Sequence, residues 1–208
     1  MTADASRGPR ADAARNAGRI LHATREVYAV QGPDAPLEEI ARRAGVGIAT
    51  LYRHFPNKGD LVRAALEQSI ADKIDPAIER ALADDDPLRG LTVLLEAALS
   101  MVAGEHSTLA AARNSGALTA SVAAPFRESL TVLTLRAQQA GLIRADLVPD
   151  DVGRIVVMLI GVLWTIPPQS DGWRRYLALI LDAVTAARAS SLPPAVPLIT
   201  TEQGSFPI

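Results

Sequence analysis

The sequence predicts an all-α protein in which an N-terminal helix-turn-helix unit precedes a larger helical domain, with about nine helices in total. Apolar residues recur at spacings of three and four along most of the chain, and no alternating strand pattern of useful length interrupts them. Residues 37–54 contain two short amphipathic patterns separated by a Gly-Val-Gly turn. The last two helical patterns, in contrast, are apolar on almost every side, which is typical of buried helices.

The composition restricts the classes of protein and of site. With 208 residues and 49% hydrophobic residues, the chain can bury a sizeable core in one large or two modest domains. It contains no cysteine, which excludes disulfides, thiol catalysis and thiolate metal sites and is compatible with a cytoplasmic location. The polar, basic first residues lack the apolar core of a secretory signal. The longest uncharged apolar run, residues 155–166, is too short to cross a bilayer of about 30 Å.

The first long helix is predicted from about Asp12 to Gln31, and a glycine and a proline directly after it end it. Its core-facing stripe consists of residues spaced by three and one: Ala17, Ile20, Leu21, Thr24, Val27 and Tyr28. Residues 1–12 carry almost no apolar bulk, so we expect a disordered arm there. Arg7 and Arg10 of this arm either track a DNA backbone or minor groove or only keep the arm soluble.

Residues 37–54 predict the helix-turn-helix. In the first short helix, Leu37–Ala44, four apolar residues at i, i+3, i+4 and i+7 form one buried face. Gly45 then interrupts the helix, because glycine enters left-handed backbone conformations without steric cost. In the second short helix, Ile48–His54, Leu51 and the aromatic residue four positions later face inward, which leaves most other side chains on the outward surface.

A third helix is expected to start directly after the motif. Asn57 can cap it, and Asp60 three positions later can complete a capping box. Lys58 falls in the first turn, where a cation opposes the helix dipole. The positive helix end together with this lysine suits a phosphate, and an ordinary exposed lysine is the alternative. The helix is expected to continue from Leu61 to Ala83, with a bend at Pro76.

Further helices are expected in the rest of the chain, at Pro87–Val102, Thr108–Leu118, Ser121–Ala140, Pro149–Ile166 and Asp171–Ala189. The aspartates at 84–86 stand just before a proline, so we interpret them as a solvated loop and helix start and not as a metal site. The predicted domains are an arm at 1–12, a helix-turn-helix domain at 13–60, a helical regulatory and dimerisation domain at 61–190 and an irregular tail at 191–208.

The last two helices are too apolar for one subunit of this size to cover. We therefore expect a homodimer in which both helices pack against their counterparts, with a thick core inside one chain as the alternative. The predicted interface residues lie on the apolar stripes of the two helices: Val152, Ile155, Val156, Leu159, Leu163, Trp173, Tyr176, Leu177, Ile180, Leu181 and Val184.

Charge is distributed unevenly along the chain. Residues 1–63 hold 10 Lys or Arg against 7 Asp or Glu, whereas residues 64–208 hold 11 against 16. Taken alone, this asymmetry is as compatible with chance as with function. Combined with the helix-turn-helix, it favours a nucleic acid as the partner of the N-terminal region.

The segment from about Ala17 to Ala65 closely resembles the DNA-binding domain of the tetracycline-repressor (TetR) family. The resemblance rests on IARRAGVG at 40–47, TLYRHF at 50–55 and an Asn-Lys pair at 57–58, and it covers about a quarter of the chain. The remainder resembles the family in organisation only. The resemblance implies a one-component repressor whose dimer places two heads in successive major grooves of a pseudo-palindromic operator.

The resemblance also implies roles for residues of the motif. The DNA-binding set comprises Arg42, Arg43, Gly47, Ile48, Ala49, Thr50, Tyr52, Arg53, His54 and Lys58. By position, Thr50, Arg53 and His54 are expected to contact bases or phosphates, and Tyr52 and Lys58 the phosphate backbone. Ile48 or Ala49, which open the second helix, is available to touch a thymine methyl. A half-buried aromatic that braces the motif is the alternative role for the tyrosine.

Two positions depart from the pattern of the family. Ala35-Pro36 stands where members often have a hydroxyl residue that meets a phosphate, and Gly47 stands where serine is common. Each departure removes a possible DNA contact. Arg42, Arg43 and the N-terminal arm are therefore the candidates for compensating contacts.

A ligand pocket is expected in the helical body, and a small, mostly apolar effector is the default occupant. The candidate residues, for most of which ordinary core packing is the alternative, are Leu66, Ile70, Leu95, Met101, Arg113, Met158 and Trp164. No phosphate loop, nucleophile elbow or metal-like histidine spacing occurs, so we predict no cofactor, no metal and no enzyme activity. The predicted function is a ligand-responsive repressor; a non-specific architectural DNA-binding protein and a small helical enzyme are the alternatives.

Overall fold

The computed structural model describes residues 7–167, 170–185 and 192–194, which fold into α-helices as predicted. The helices are α1 Arg7–Gln31, α2 Leu37–Ala44, α3 Ile48–His54, α4 Lys58–Lys73, α5 Asp75–Ala83, α6 Pro87–Gly104, α7 His106–Asn114, α8 Ala120–Gln139, α9 Pro149–Leu163 and α10 Trp173–Thr185. The all-α fold class is therefore confirmed, and the short helices of the motif have their predicted bounds.

The described part of the chain has one helix more than expected because the predicted helix from Leu61 to Ala83 is divided. α4 ends at Lys73, and α5 starts two residues later. Pro76 occupies the second position of α5, where it lacks the backbone N–H that would continue the hydrogen-bond ladder of α4. The bend expected at this proline is a break between two helices.

The two ends of the described chain differ from the sequence-based bounds. α1 starts at Arg7, inside the predicted arm. Pro9 stands in its first turn, where the missing N–H is not needed, and the alanine- and arginine-rich residues that follow favour helix. Residues 1–6 of the arm lie outside the described residues. So does most of the predicted tail, of which 192–194 are described and form no regular element.

The chain forms two compact units. The head unit consists of Met1–Gln68 and Glu105–Leu118, and the body unit consists of Ser69–Gly104 and Thr119–Ile208. The head unit therefore includes α7, which packs against α1, and the charged groups of Arg25 and Glu105 lie 4.0 Å apart there. The expected domain limits, 13–60 and 61–190, could not include α7 in the head, because this pairing joins distant parts of the sequence. The limits 13–60 and 61–190 therefore remain a prediction about which parts of the chain fold independently.

The head unit has its core along the apolar stripe of α1. Ile20 and Tyr28 are completely buried, and so are Ile40 of α2 and Leu51 of α3. Thr24 lies in the same stripe, and its hydroxyl donates a hydrogen bond of 2.8 Å to the carbonyl of Ile20. α1 thus packs against α2, and α2 in turn packs against α3.

α6 is the central helix of the body unit, where it contacts α5, α8, α9 and α10. Leu91, Leu94 and Leu99 are among its buried residues. Gly90 allows close packing, because a Cβ at this position would lie 2.5 Å from the carbonyl oxygen of Ala81. Among the described helices α6 alone is long and apolar enough to match a membrane span, but half of it is buried in the protein, as in a core helix.

Most of the predicted interface residues are buried inside the single chain. The buried ones are Val152, Ile155, Val156, Leu159, Leu163, Trp173, Leu177 and Val184. Ile180 and Leu181 are half-buried, and Tyr176 is 40% exposed. The stripes of α9 and α10 thus contribute to the core of the body unit, where the two helices contact each other and α6. Of the predicted interface residues, Tyr176, Ile180 and Leu181 keep side-chain surface that a second chain can reach, and the interface itself stays a prediction.

Candidate nucleic-acid interface

The turn between α2 and α3 has the backbone that its sequence predicts. Gly45 adopts a left-handed conformation, with φ of 65°, and ends α2. The N–H groups of Gly45 and Val46 donate to the carbonyls of Arg42 and Ala41, at 3.1 Å and 3.0 Å. These bonds close the last turn of α2, and the chain then reverses into α3.

α3 presents a continuous accessible surface. Leu51 is completely buried against the head unit and anchors the helix. Tyr52 is 46% exposed. The remaining predicted contact residues of this segment are exposed or half-buried, namely Gly47, Ile48, Ala49, Thr50, Arg53 and His54. All the predicted contact residues of α3 therefore keep side-chain or backbone surface accessible to a partner, and their contacts with DNA stay a prediction.

Arg42 and Arg43 are exposed but already paired with carboxylates. Arg42 donates to the carboxylate of Glu39, one turn earlier on α2, through Nε at 3.0 Å and Nη2 at 2.5 Å. Arg43 donates to Glu26 of α1, through Nε at 2.8 Å and Nη2 at 3.0 Å. These hydrogen bonds hold the pKa of the Glu26 and Glu39 carboxyls below their ordinary value. A phosphate must compete with these carboxylates, so the compensating role expected for both arginines is restricted.

The start of α4 is capped by side chains. The Asp60 backbone N–H donates to the Asn57 side-chain oxygen at 2.8 Å, and the Asn57 amide donates to the Asp60 carboxylate at 2.7 Å. Lys58, the first residue of α4, is half-buried, and its Nζ lies 5.8 Å from the centroid of the Tyr28 ring. Burial raises the pKa of Tyr28 to about 12, so the lysine faces a neutral ring at physiological pH.

Arg19 of α1 was missed by the sequence analysis. Its guanidinium donates to the carbonyls of Ala44 and Gly45, at the end of α2. The contact joins residues 25 and 26 positions apart. No local pattern of the sequence indicates such a pairing.

The predicted pocket residues differ in burial, and the pocket stays a prediction. Leu66 and Leu95 are buried core residues, while Met158 is 58% and Trp164 is 41% exposed. Arg113 is exposed and belongs to the head unit, as does Leu66, whereas the others belong to the body unit.

Two of the pocket candidates do belong to one cluster in the body unit. Met101 is buried with Ile74 and Ala98, and the half-buried Ile70 and Phe126 pack against that cluster. All of these side chains are apolar, so the cluster is the part of the predicted set that suits an apolar ligand.

Comparisons with known proteins agree with this geometry. The family model of bacterial regulatory proteins of the tetR family matches residues 20–65. An HTH-type transcriptional regulator of Staphylococcus aureus, SAR0097, is 33% identical over 137 residues, which are 62% of this chain and 71% of that protein. The uncharacterized HTH-type regulator TtgW of Pseudomonas putida is 44% identical over 57 residues, which are 27% of this chain but only 42% of that protein.

Solved structures show the same relationship over most of the chain. The crystal structure of a TetR transcription regulatory protein from Mycobacterium vanbaalenii has a TM-score of 0.61 and 31% identity, covering 85% of this chain and 99% of that one. FadR from Bacillus subtilis, solved with stearoyl-CoA, has a TM-score of 0.68 and covers 83% of this chain and 99% of that one. Because the two sequences are only 18% identical, this likeness supports the fold alone. These relatives are transcriptional regulators and not enzymes. The chain belongs to the TetR family of helix-turn-helix, DNA-binding transcriptional regulators.

Proposed function

We propose that this regulator is a repressor that binds a pseudo-palindromic operator as a homodimer and is released by a small, mostly apolar effector. The main support is the accessible surface of α3, which Leu51 anchors to the head unit and which carries the predicted contact residues. The proposal places the protein in the cytoplasm, where its DNA would be reached.

In the proposed complex α3 lies in the major groove. Thr50, Arg53 and His54 contact base edges or phosphates, and the small or apolar residues at its start touch thymine methyl groups. Tyr52 and Lys58 bind the phosphate backbone and set the register. Lys58 suits this role because it stands at the N-terminus of α4, where the helix dipole attracts an anion.

The proposed dimer surface is the exposed side of α9 and α10. Large apolar side chains remain exposed there in the single chain: Met158, Trp164, Tyr176 and Leu179. Such apolar exposure is typical of a surface that a second protein covers. Two copies joined in this way would present two α3 helices to half-sites about one helical turn apart.

The proposed effector site is the apolar cluster around Met101 and Ile70 in the body unit. Its side chains favour an apolar ligand. The effector would bind more tightly to the state of the dimer whose heads do not fit the operator. Operator affinity would then fall by the difference in binding energy, typically about 1 to 3 kcal/mol.

Selection from a random DNA library followed by salt titration tests the proposal. The wild-type protein should select a palindromic duplex and bind it at least about 10³-fold more tightly than a scrambled duplex. If each excess charge of the two heads meets one phosphate, the slope of log K against log salt should be about −5. Equal affinity for both duplexes would instead indicate an architectural protein, and a slope near zero would contradict binding through phosphates.

The phosphate contacts are tested by the double variant Tyr52→Phe with Lys58→Ala. It should weaken binding to both duplexes and make the salt slope shallower. Lys73→Ala removes the same charge from the other end of α4, in the body unit, and should leave both quantities unchanged. An unchanged double variant would show that these assignments are wrong.

A further inference from the structure

Arg19 connects α1 to the turn of the helix-turn-helix. Its Nη2 atom donates to the carbonyl oxygen of Ala44 at 2.5 Å and to that of Gly45 at 3.2 Å. The carbonyls of Ala41 and Arg42, earlier in the last turn of α2, accept backbone N–H groups from the turn instead. Arg19 therefore supplies, from another helix, the donor for the carbonyls of Ala44 and Gly45, at the negative end of the α2 dipole.

The turn and the guanidinium fit each other closely. Gly45 has φ of 65°, and a Cβ at this position would lie 2.7 Å from Arg19 Nη2. The absence of a side chain at residue 45 thus allows both the left-handed turn and the approach of the guanidinium. Directly after this turn, Gly47 starts α3 by accepting the N–H of Thr50 at 2.9 Å. The path of the chain into α3 is set within two residues of the atoms that Arg19 holds.

We propose that Arg19 is a positioning residue for DNA recognition. By holding the end of α2 against α1, it sets the angle at which α3 leaves the turn and enters the groove. The proposal rests on the proposed sequence-specific function of α3. It predicts that Arg19 contributes to the affinity for the correct DNA sequence without contacting a phosphate, because its guanidinium is directed at the turn carbonyls.

Arg15 provides a matched control. It lies four residues earlier on α1, is exposed, and pairs with Asp12 on the same helix. Arg19→Met and Arg15→Met each remove one positive charge from the same helix of the full-length protein. A general electrostatic effect would therefore be the same for both variants, whereas a positioning effect would be confined to Arg19.

The experiment measures binding to two probes, the duplex selected by the wild-type protein and a scrambled duplex of equal composition, over a range of salt. Arg19→Met should lower affinity for the selected duplex about tenfold and affinity for the scrambled duplex less than twofold, with an unchanged salt slope. Arg19→Lys should restore part of the loss, because an ammonium still donates to a carbonyl. Amide hydrogen exchange at Val46 and Thr50 should be faster in Arg19→Met at a temperature where the protein is folded.

Each other outcome contradicts the proposal in a distinct way. Equal weakening of both duplexes with a salt slope shallower by about one per subunit would identify Arg19 as a phosphate contact. Unchanged affinity, or the same loss in Arg15→Met, would overturn the positioning role. If amide hydrogen exchange and stability change while DNA affinity does not, Arg19 has only a structural role. If the wild-type protein selects no sequence, the proposed sequence-specific function fails, independently of Arg19.

Discussion

The helix-turn-helix and the α9–α10 pair differ in how completely their sequences determine their surroundings. α2 has a narrow apolar face on which Ile40, Ala41 and Ala44 are buried, while Arg42 and Arg43 are exposed. α9 is apolar almost all round, and the structure buries Leu159 in the chain's own core while Met158 beside it is exposed. A helix with a narrow apolar face can bury only that face in the core. A helix that is apolar on all sides can bury either side and leave the other for a partner.

The largest effect is expected from a buried residue of the motif. Leu51→Ala should lower the free energy of unfolding by about 2 to 5 kcal/mol, because the side chain is completely buried and its removal leaves a cavity. Tyr52→Ala, at the next position, should change it by less than about 0.5 kcal/mol and weaken DNA binding instead. Urea denaturation and a DNA titration of both variants separate the two effects. Similar loss of stability in the two variants would show that the tyrosine braces the motif.

The next largest effects are expected from substitutions on the exposed and the buried side of α9. Met158→Asp should raise the dissociation constant of the proposed dimer at least about tenfold, because it would bury a carboxylate in an apolar interface. Leu159→Ala should destabilise the folded chain instead. Sedimentation over a range of protein concentrations measures the first quantity, and urea denaturation at fixed concentration measures the second. A dimer that tolerates Met158→Asp would place the interface elsewhere.

A smaller effect is expected from the ion pair between α1 and α2. Glu26→Gln should release Arg43 from its carboxylate partner, raise DNA affinity a few-fold and make the salt slope steeper by up to about one per subunit. Glu38→Gln makes the same charge change on α2 and serves as the control, since Glu39, and not Glu38, binds Arg42. Equal gains in the two variants would show a general charge effect and not the release of an arginine.

Acid should weaken the same pair. The pKa of Glu26 is lowered by the Arg43 guanidinium, so the contribution of the pair is fully present above the ordinary carboxyl pKa. It is lost only as the pH falls through the lowered value. The difference in stability between wild type and Glu26→Gln should therefore be constant near neutral pH and shrink in acid, which denaturation at several pH values measures.

The smallest effect is expected at the start of α3. Gly47 caps the helix without a side chain, its φ of −70° suits any residue, and a Cβ there would meet no atom within 4 Å. Gly47→Ser should therefore add a capping hydroxyl and raise stability by a few tenths of a kcal/mol, measured as a higher Tm. Gly45→Ser should lower it, because a side chain at φ of 65° is strained and would approach Arg19. A loss of stability in Gly47→Ser would show that this position needs glycine.

Local patterns predicted the helices and much of the candidate site. The spacing of apolar residues gave the bounds of α2 and α3, and Asn57 with Asp60 gave the capped start of α4. The sequence predicted a bend at Pro76 but not the division into α4 and α5, because a proline permits either a kink or a break. The pocket stays a prediction, since apolar side chains of core and of pocket look alike in a sequence.

The sequence by itself determined the all-α class, the helix-turn-helix with its glycine turn, and the membership of the TetR family, because each depends on residues within a few turns of one another. Only the tertiary structure decided that Arg43 pairs with Glu26, that Arg19 holds the end of α2, and that α9 buries Leu159 and exposes Met158. These contacts join residues far apart along the chain, or choose between two apolar sides of one helix. Such choices depend on which other helices pack nearby, and periodicity carries no information about them.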